Sequence, residues 1–105
     1  MAWQHIADAA DFADRDVIGR RCDGRDIALY RLDGAYFATG NLCTHGRACL
    51  SDGEVVDGHI ECPAHFGLFE IRTGKAAGAP VQVDLRTYPV RVEGTSIQID
   101  LGPVA

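Results

Sequence analysis

Cys62-Pro63-Ala64-His65-Phe66-Gly67-Leu68-Phe69-Glu70-Ile71-Arg72-Thr73-Gly74 decides the reading of this chain, together with Cys43-Thr44-His45-Gly46 upstream of it. Each stretch pairs a soft thiolate with an imidazole at short spacing, so each can reach a metal from one loop. Sixteen residues separate His45 from Cys62. A C-x-H spacing is too tight for both side chains to grip one tetrahedral ion easily, and it suits two adjacent metals better. Zinc accepts two cysteines and two histidines, but its usual spacings are C-x2–4-C and H-x3–5-H. A single zinc ion remains the alternative occupant, disfavoured by that spacing.

Outward from these boxes the chain reads as mostly β, with short strands and frequent turn signals. Ile27-Ala28-Leu29-Tyr30-Arg31-Leu32 runs into Asp33-Gly34, and Ala35-Tyr36-Phe37-Ala38-Thr39 runs out. Asp-Gly between apolar runs is a strong hairpin signal, because both central residues of a type I′ turn need positive φ. Asp57-Gly58 joins Glu54-Val55-Val56 to His59-Ile60-Glu61 in the same way. Glu93-Gly94 separates Val90-Arg91-Val92 from Ser96-Ile97-Gln98-Ile99, and both flanks alternate at period two. Val17-Ile18-Gly19 begins an early strand, and Ala7 to Ala13 is read as one short acidic helix. Leu42 to about Pro80 holds the metal-type residues and many glycines. The pattern predicts one domain: a β-sandwich base from 1–40 and 82–105, carrying a ligand-bearing insertion at about 41–81.

With 105 residues the chain is long enough for a real core, although a domain this small is helped by a metal staple. The formal net charge is −5, and an acidic chain repels phosphates, which argues against nucleic acid. No apolar run approaches the roughly 18 residues of a membrane span. The first residues, Met1-Ala2-Trp3-Gln4-His5, lack a basic region followed by an apolar one, so a cytoplasmic location is expected. There the four cysteines, Cys22, Cys43, Cys49 and Cys62, point to metal or redox chemistry rather than disulfides.

The two boxes resemble those of the Rieske family. The second matches C-P-x-H-x-G-x-F-[DN]-[VI]-x-T-G except that Glu70 stands where Asp or Asn is commoner. Pro80-Val81 is similar to the family's proline loop, and Tyr88-Pro89-Val90 to its return to the base. The resemblance runs from about Val17 to Leu101. It implies an all-β Rieske fold with an antiparallel sandwich base and a small cluster-binding subdomain. It also implies one [2Fe–2S] cluster per chain, with Cys43 and Cys62 on one iron and His45 and His65 on the other.

Within the family the chain is most similar to the small ferredoxin components of bacterial aromatic ring-hydroxylating dioxygenases, of the naphthalene-dioxygenase kind. That implies a monomeric one-electron carrier between a flavin-containing NAD(P)H ferredoxin reductase and a terminal oxygenase, and not an enzyme itself. A Rieske-like small subunit of an assimilatory nitrite reductase is the alternative, although those often lack the ligands that this chain keeps. High-potential relatives place Ser five and Tyr seven residues after the second cysteine ligand. Here those positions are Gly67 and Phe69, which donate no side-chain hydrogen bond. The expected potential is therefore near the low end of the Rieske range, roughly −150 mV, and almost flat with pH around neutrality.

Several residues carry weaker expectations. Pro63, Phe66, Leu68 and Pro80 form an apolar collar, read either as a docking ring or as packing that excludes water from the cluster. Gly46 and Gly67 let the backbone approach the sulfurs. Asp8, Asp11, Asp14, Asp16, Asp23 and Asp26 make the front acidic, as a solvated face or a steering field. Cys22 and Cys49 are expected to be inert half-buried thiols, His59 a solvated hairpin residue, and Trp3 an anchor of the base.

Overall fold

A computed structural model describes residues 2–44, 48–64, 66–77 and 83–102. The first sheet pairs β1 (Trp3–Asp8), β10 (Ser96–Asp100) and β9 (Val90–Glu93), in the order β1-β10-β9. The second has the order β2 (Val17–Cys22), β3 (Arg25–Leu32), β4 (Ala35–Gly40), β8 (Thr87–Tyr88). The third joins β5 (Glu54–Val56), β6 (His59–Glu61) and β7 (Leu68–Glu70). Every pairing among the described residues is antiparallel. The third sheet falls in sequence between β4 and β8, which pair with each other through Ala38–Tyr88 and Thr39–Thr87.

The apolar run in β3 is continuous because that strand is buried on both faces. Ile27 and Leu29 enter a core with Ile6, Phe12, Ile18, Ile97 and Ile99, between the first two sheets. Ala28 and Tyr30 enter the opposite core with Leu50, Ile60, Phe69, Ile71 and the thiols of Cys43 and Cys62. Alternation at period two sends successive side chains to opposite faces. One strand thus joins the base to the ligand-bearing region. The Tyr30 hydroxyl, fully buried, bonds Thr39 Oγ1 at 2.8 Å. Burial raises its pKa, partly offset by that bond.

The Asp-Gly turns form as the sequence implies. Asp33 and Gly34 have φ of 50° and 79°, and Asp57 and Gly58 of 49° and 76°. Asp23-Gly24 repeats the pattern between β2 and β3, at 50° and 76°. The expected helix over Ala7 to Ala13 is not formed. Ile6 and Ala7 lie buried in β1, which pairs with β10, and only Ala9–Phe12 coil, as one 3-10 turn. Pairing with a neighbouring strand outweighs the weak helical preference of so short a segment. Trp3 is half-buried on β1, with the Arg91 guanidinium 4.7 Å from its ring centroid.

Candidate metal centre

The first ligand segment leaves β4 at Gly40 and is gathered at its base by Asn41, which is buried. Its amide oxygen accepts the Ser51 backbone N–H at 2.8 Å, and its amide nitrogen donates to Ser51 Oγ at 3.0 Å. The Arg15 guanidinium donates to the Ser51 carbonyl at 2.9 Å. Gly19 packs closely here: a Cβ would lie 2.8 Å from Ser51 Oγ, so the serine side chain would have to give way. Above this base Leu42 bridges to Cys49, and the Cys43 N–H donates to the Ala48 carbonyl at 3.0 Å. Residues 43 and 48 are thus held face to face. His45 and Gly46, between them, lie outside the described residues.

The second segment follows β6. The Cys62 N–H donates to the Gly67 carbonyl at 2.8 Å, and the Phe66 N–H returns to the Cys62 carbonyl at 2.9 Å. This tight loop puts Phe66 at a φ of 57°. An L-residue held there costs about 1–2 kcal/mol, and Phe66 is nevertheless 69% exposed. Pro63 is exposed, Leu68 half-buried and Gly67 buried. His65, Pro80 and Val81 lie outside the described residues.

A third segment leans on both. Leu85 N–H donates to the Gly74 carbonyl, and Ala76 N–H to Asp84 Oδ1 at 2.9 Å. Gly74, at a φ of 77°, leaves room for that approach, because a Cβ would collide with the Leu85 carbonyl. From the other side the Thr44 hydroxyl donates to the Val83 carbonyl at 2.6 Å.

Cys43 is 3% exposed and Cys62 fully buried, within one apolar cluster. No disulfide joins any of the four cysteines. Two sulfurs from separate loops, sunk among Tyr30, Leu50, Ile60 and Phe69, are soft donors in a dry setting. That donor set would suit one iron of a [2Fe–2S] cluster and fits the expected group. Among the described residues no three His, Cys, Asp or Glu converge on one ion. Phe69 packs in this cluster and brings no hydroxyl to the sulfurs.

The outlying residues are placed as follows. Cys22 and Cys49 are half-buried. The Cys22 thiol donates to Gln4 Oε1 at 3.2 Å, and burial, with Asp23 nearby, raises its pKa. His59 is half-buried, its Nδ1 2.9 Å from the Asp57 carbonyl, so it serves its own turn. Asp11 and Asp26 pair with Arg20 and Arg21, and Asp8 lies 4.0 Å from His5 Nε2, so part of the acidic front is internally compensated.

Two exposed apolar residues beside the site stand outside the expected collar: Leu42, at 53%, and Val83, at 62%. Leu42 directly precedes the first cysteine, a position that could have marked it. Val83 carries no local signal, since only the fold brings it to Thr44.

Comparison with known proteins agrees with this geometry. The Rieske [2Fe-2S] domain family matches residues 2–89. The ferredoxin component of the naphthalene 1,2-dioxygenase system of Pseudomonas putida is 44% identical over 101 residues, covering 96% of this chain and 97% of that protein. The solved Sphingomonas yanoikuyae B1 ferredoxin superposes with a TM-score of 0.88 at 38% identity, covering 94% of this chain and 98% of that one. A chain in the complex of reduced oxygenase and oxidised ferredoxin of carbazole 1,9a-dioxygenase gives 0.83 at 33% identity, covering 92% of this chain and 91% of that one. Two buried thiols in one apolar cluster, the two Cys–His boxes and near full-length likeness agree, and the chain belongs to the Rieske [2Fe–2S] domain family.

Proposed function

We propose that Cys43 and Cys62 hold one iron, and His45 and His65 the other, of a [2Fe–2S] cluster. The chain then carries single electrons from a flavin-containing NAD(P)H ferredoxin reductase to the terminal oxygenase of an aromatic ring-hydroxylating dioxygenase system. The observation that carries this reading is the burial of two cysteines from separate loops in one apolar cluster, each two or three residues from a histidine in sequence. The relatives named for dioxygenase systems, and the oxygenase–ferredoxin complex, support the choice of partners over the nitrite reductase subunit.

When bound, the cluster supplies a reversible one-electron couple. The protein's part is position and electrostatics. Residues 41–81 serve as the cluster-binding insertion on the base of 1–40 and 82–105. The cores around Cys43 and Cys62 exclude water from the sulfurs, while exposed Leu42, Pro63, Phe66 and Val83 give a partner an apolar surface beside the ligand loops. The absence of hydroxyls at Gly67 and Phe69 keeps the reduced state unassisted, which favours a low potential suited to flavin donors. That the carrier works as a cytoplasmic monomer is part of this proposal; among the described residues no helix is long and apolar enough to cross a membrane.

Purified protein tests the assignment directly. Iron and sulfide at two each per chain, and a rhombic signal on one-electron reduction, are expected. His45→Cys or His65→Cys should abolish that signal's Rieske character. A colourless protein holding one zinc would overturn the proposal.

A further inference from the structure

We propose that the groove between the β5–β6 hairpin and the second ligand loop receives one basic side chain, arginine or lysine, from a protein electron-transfer partner. The inference rests on the electron-carrier reading and names the chemistry of the docking surface.

The groove holds about 210 Å³ and is lined by Asp52, Gly53, Glu54, Glu61, Pro63 and Phe66. Its apolar wall is Phe66, the most exposed large hydrophobic residue described. An aromatic face attracts a cation laid over it.

The opposite wall is electrostatically unbalanced. Glu54 and Glu61 are directly opposed in the β5–β6 register, and like charges in that position repel. Among the described residues, none of Asp52, Glu54 and Glu61 has a cationic partner. This contrasts with Asp11 and Asp26 on the front, which pair with Arg20 and Arg21. A positive group entering the groove relieves the repulsion and meets the ring. Gly53 keeps the floor open to the hairpin, since a Cβ there would collide with the Glu61 carbonyl.

The groove is also well placed for electron transfer. The Phe66 backbone bonds the Cys62 carbonyl at 2.9 Å, so a partner seated on Phe66 touches the loop that carries a ligand. A second copy of this chain, itself at −5, is repelled. A basic protein is attracted. Because the carboxylates are partly or fully exposed, the attraction acts on the association rate and is screened by salt.

The test uses dithionite-reduced holoprotein, desalted and mixed with ferricytochrome c, a basic protein with lysines around its haem edge. One electron leaves the reduced cluster and reduces one ferric haem, followed by haem absorbance. The variants are Glu54→Gln/Glu61→Gln, Phe66→Ala and, as a control, Asp14→Asn/Asp16→Asn, each with an unchanged cluster spectrum and potential. At low ionic strength the double glutamine variant should be about tenfold slower, with a flatter salt dependence. Phe66→Ala should slow transfer severalfold and leave the salt slope unchanged. The control should stay within about twofold of the parent, as charges facing elsewhere contribute little. Equal slowing by the control pair, or none by the groove pair, overturns the inference while leaving the carrier reading intact. So does suppression by Mg2+ beyond that of NaCl at matched ionic strength, which would make the groove a small-cation site. A parent protein without an iron–sulfur spectrum overturns the carrier reading itself.

Discussion

Thr44 donates its hydroxyl to the backbone carbonyl of Val83 at 2.6 Å, across 39 positions of sequence. The residue between Cys43 and His45 in sequence thereby ties the first box to the segment pinned against Gly74 and Ala76. Thr44→Val keeps the shape and removes the donor. The expected result is faster bleaching of the cluster by a chelator, by severalfold, from a lost hydrogen bond worth about 1 kcal/mol. Thr44→Ser should restore the parent rate. Equal bleaching rates in parent and valine variant would show that the tie is idle.

Phe69 packs in the same buried cluster as Cys43 and Cys62, at the position where the family resemblance puts a Tyr in high-potential relatives. Phe69→Tyr offers a donor to the sulfurs, and such a bond favours the more negative, reduced cluster. A differential bond of about 1 kcal/mol corresponds to a rise of roughly 40 mV for one electron, on the scale of 59 mV per tenfold change. Protein-film voltammetry reads this directly. A potential that is unchanged or lower would mean that the ring's edge faces away from the sulfurs.

Much of this was legible in the sequence, because the boxes and turns depend on local chemistry. Asp33-Gly34 and Asp57-Gly58 need only two residues to demand positive φ, and both adopt it. Paired thiolate and imidazole at short spacing name a metal chemistry without any structure. The segment from Ala7 to Ala13 departs from the expected helix because its first residues pair with β10, some 90 positions away in sequence. The Thr44–Val83 tie and the double burial of β3 are likewise products of long-range pairing, whereas the opposition of Glu54 and Glu61 follows locally from the two-residue Asp57-Gly58 turn. The strain at Phe66 is hidden for another reason. An aromatic residue gives no hint of left-handed backbone; the hydrogen bonds from Cys62 to Gly67 and from Phe66 to Cys62 impose it.

Gly53 backs onto the Glu61 carbonyl so closely that a Cβ has no place. Both partners are backbone, so relief requires moving the β5–β6 hairpin that precedes Cys62. Gly53→Ala should lower the yield of cluster-loaded protein and destabilise what forms by about 2 kcal/mol or more, as strained overpacking does. Gly58→Ala is the comparison. There φ is 76° but no atom lies within 4 Å of the added Cβ, so only the smaller conformational penalty applies. Chemical denaturation of the two variants, read by cluster absorbance, should rank them in that order.

Tyr30 gives the fold a sensitivity to alkali. Its folded pKa lies above the ordinary value, chiefly through burial, whereas in the unfolded chain the phenol ionises near 10. Above about pH 10 the unfolded state has therefore released a proton that the folded state keeps. By linkage, stability falls as pH rises through that region. Below it, both states hold the proton and the group is neutral to stability. Tyr30→Phe removes this component and also the bond to Thr39, whose hydroxyl still donates to the Gly40 carbonyl at 2.8 Å. At pH 7 the variant should lose about 1 kcal/mol. Between pH 10 and 11.5 the parent should lose stability faster than the variant, so the gap between them narrows. Urea midpoints measured at both pH values decide it: a gap that stays constant or widens would mean that the buried phenol does not couple folding to alkali.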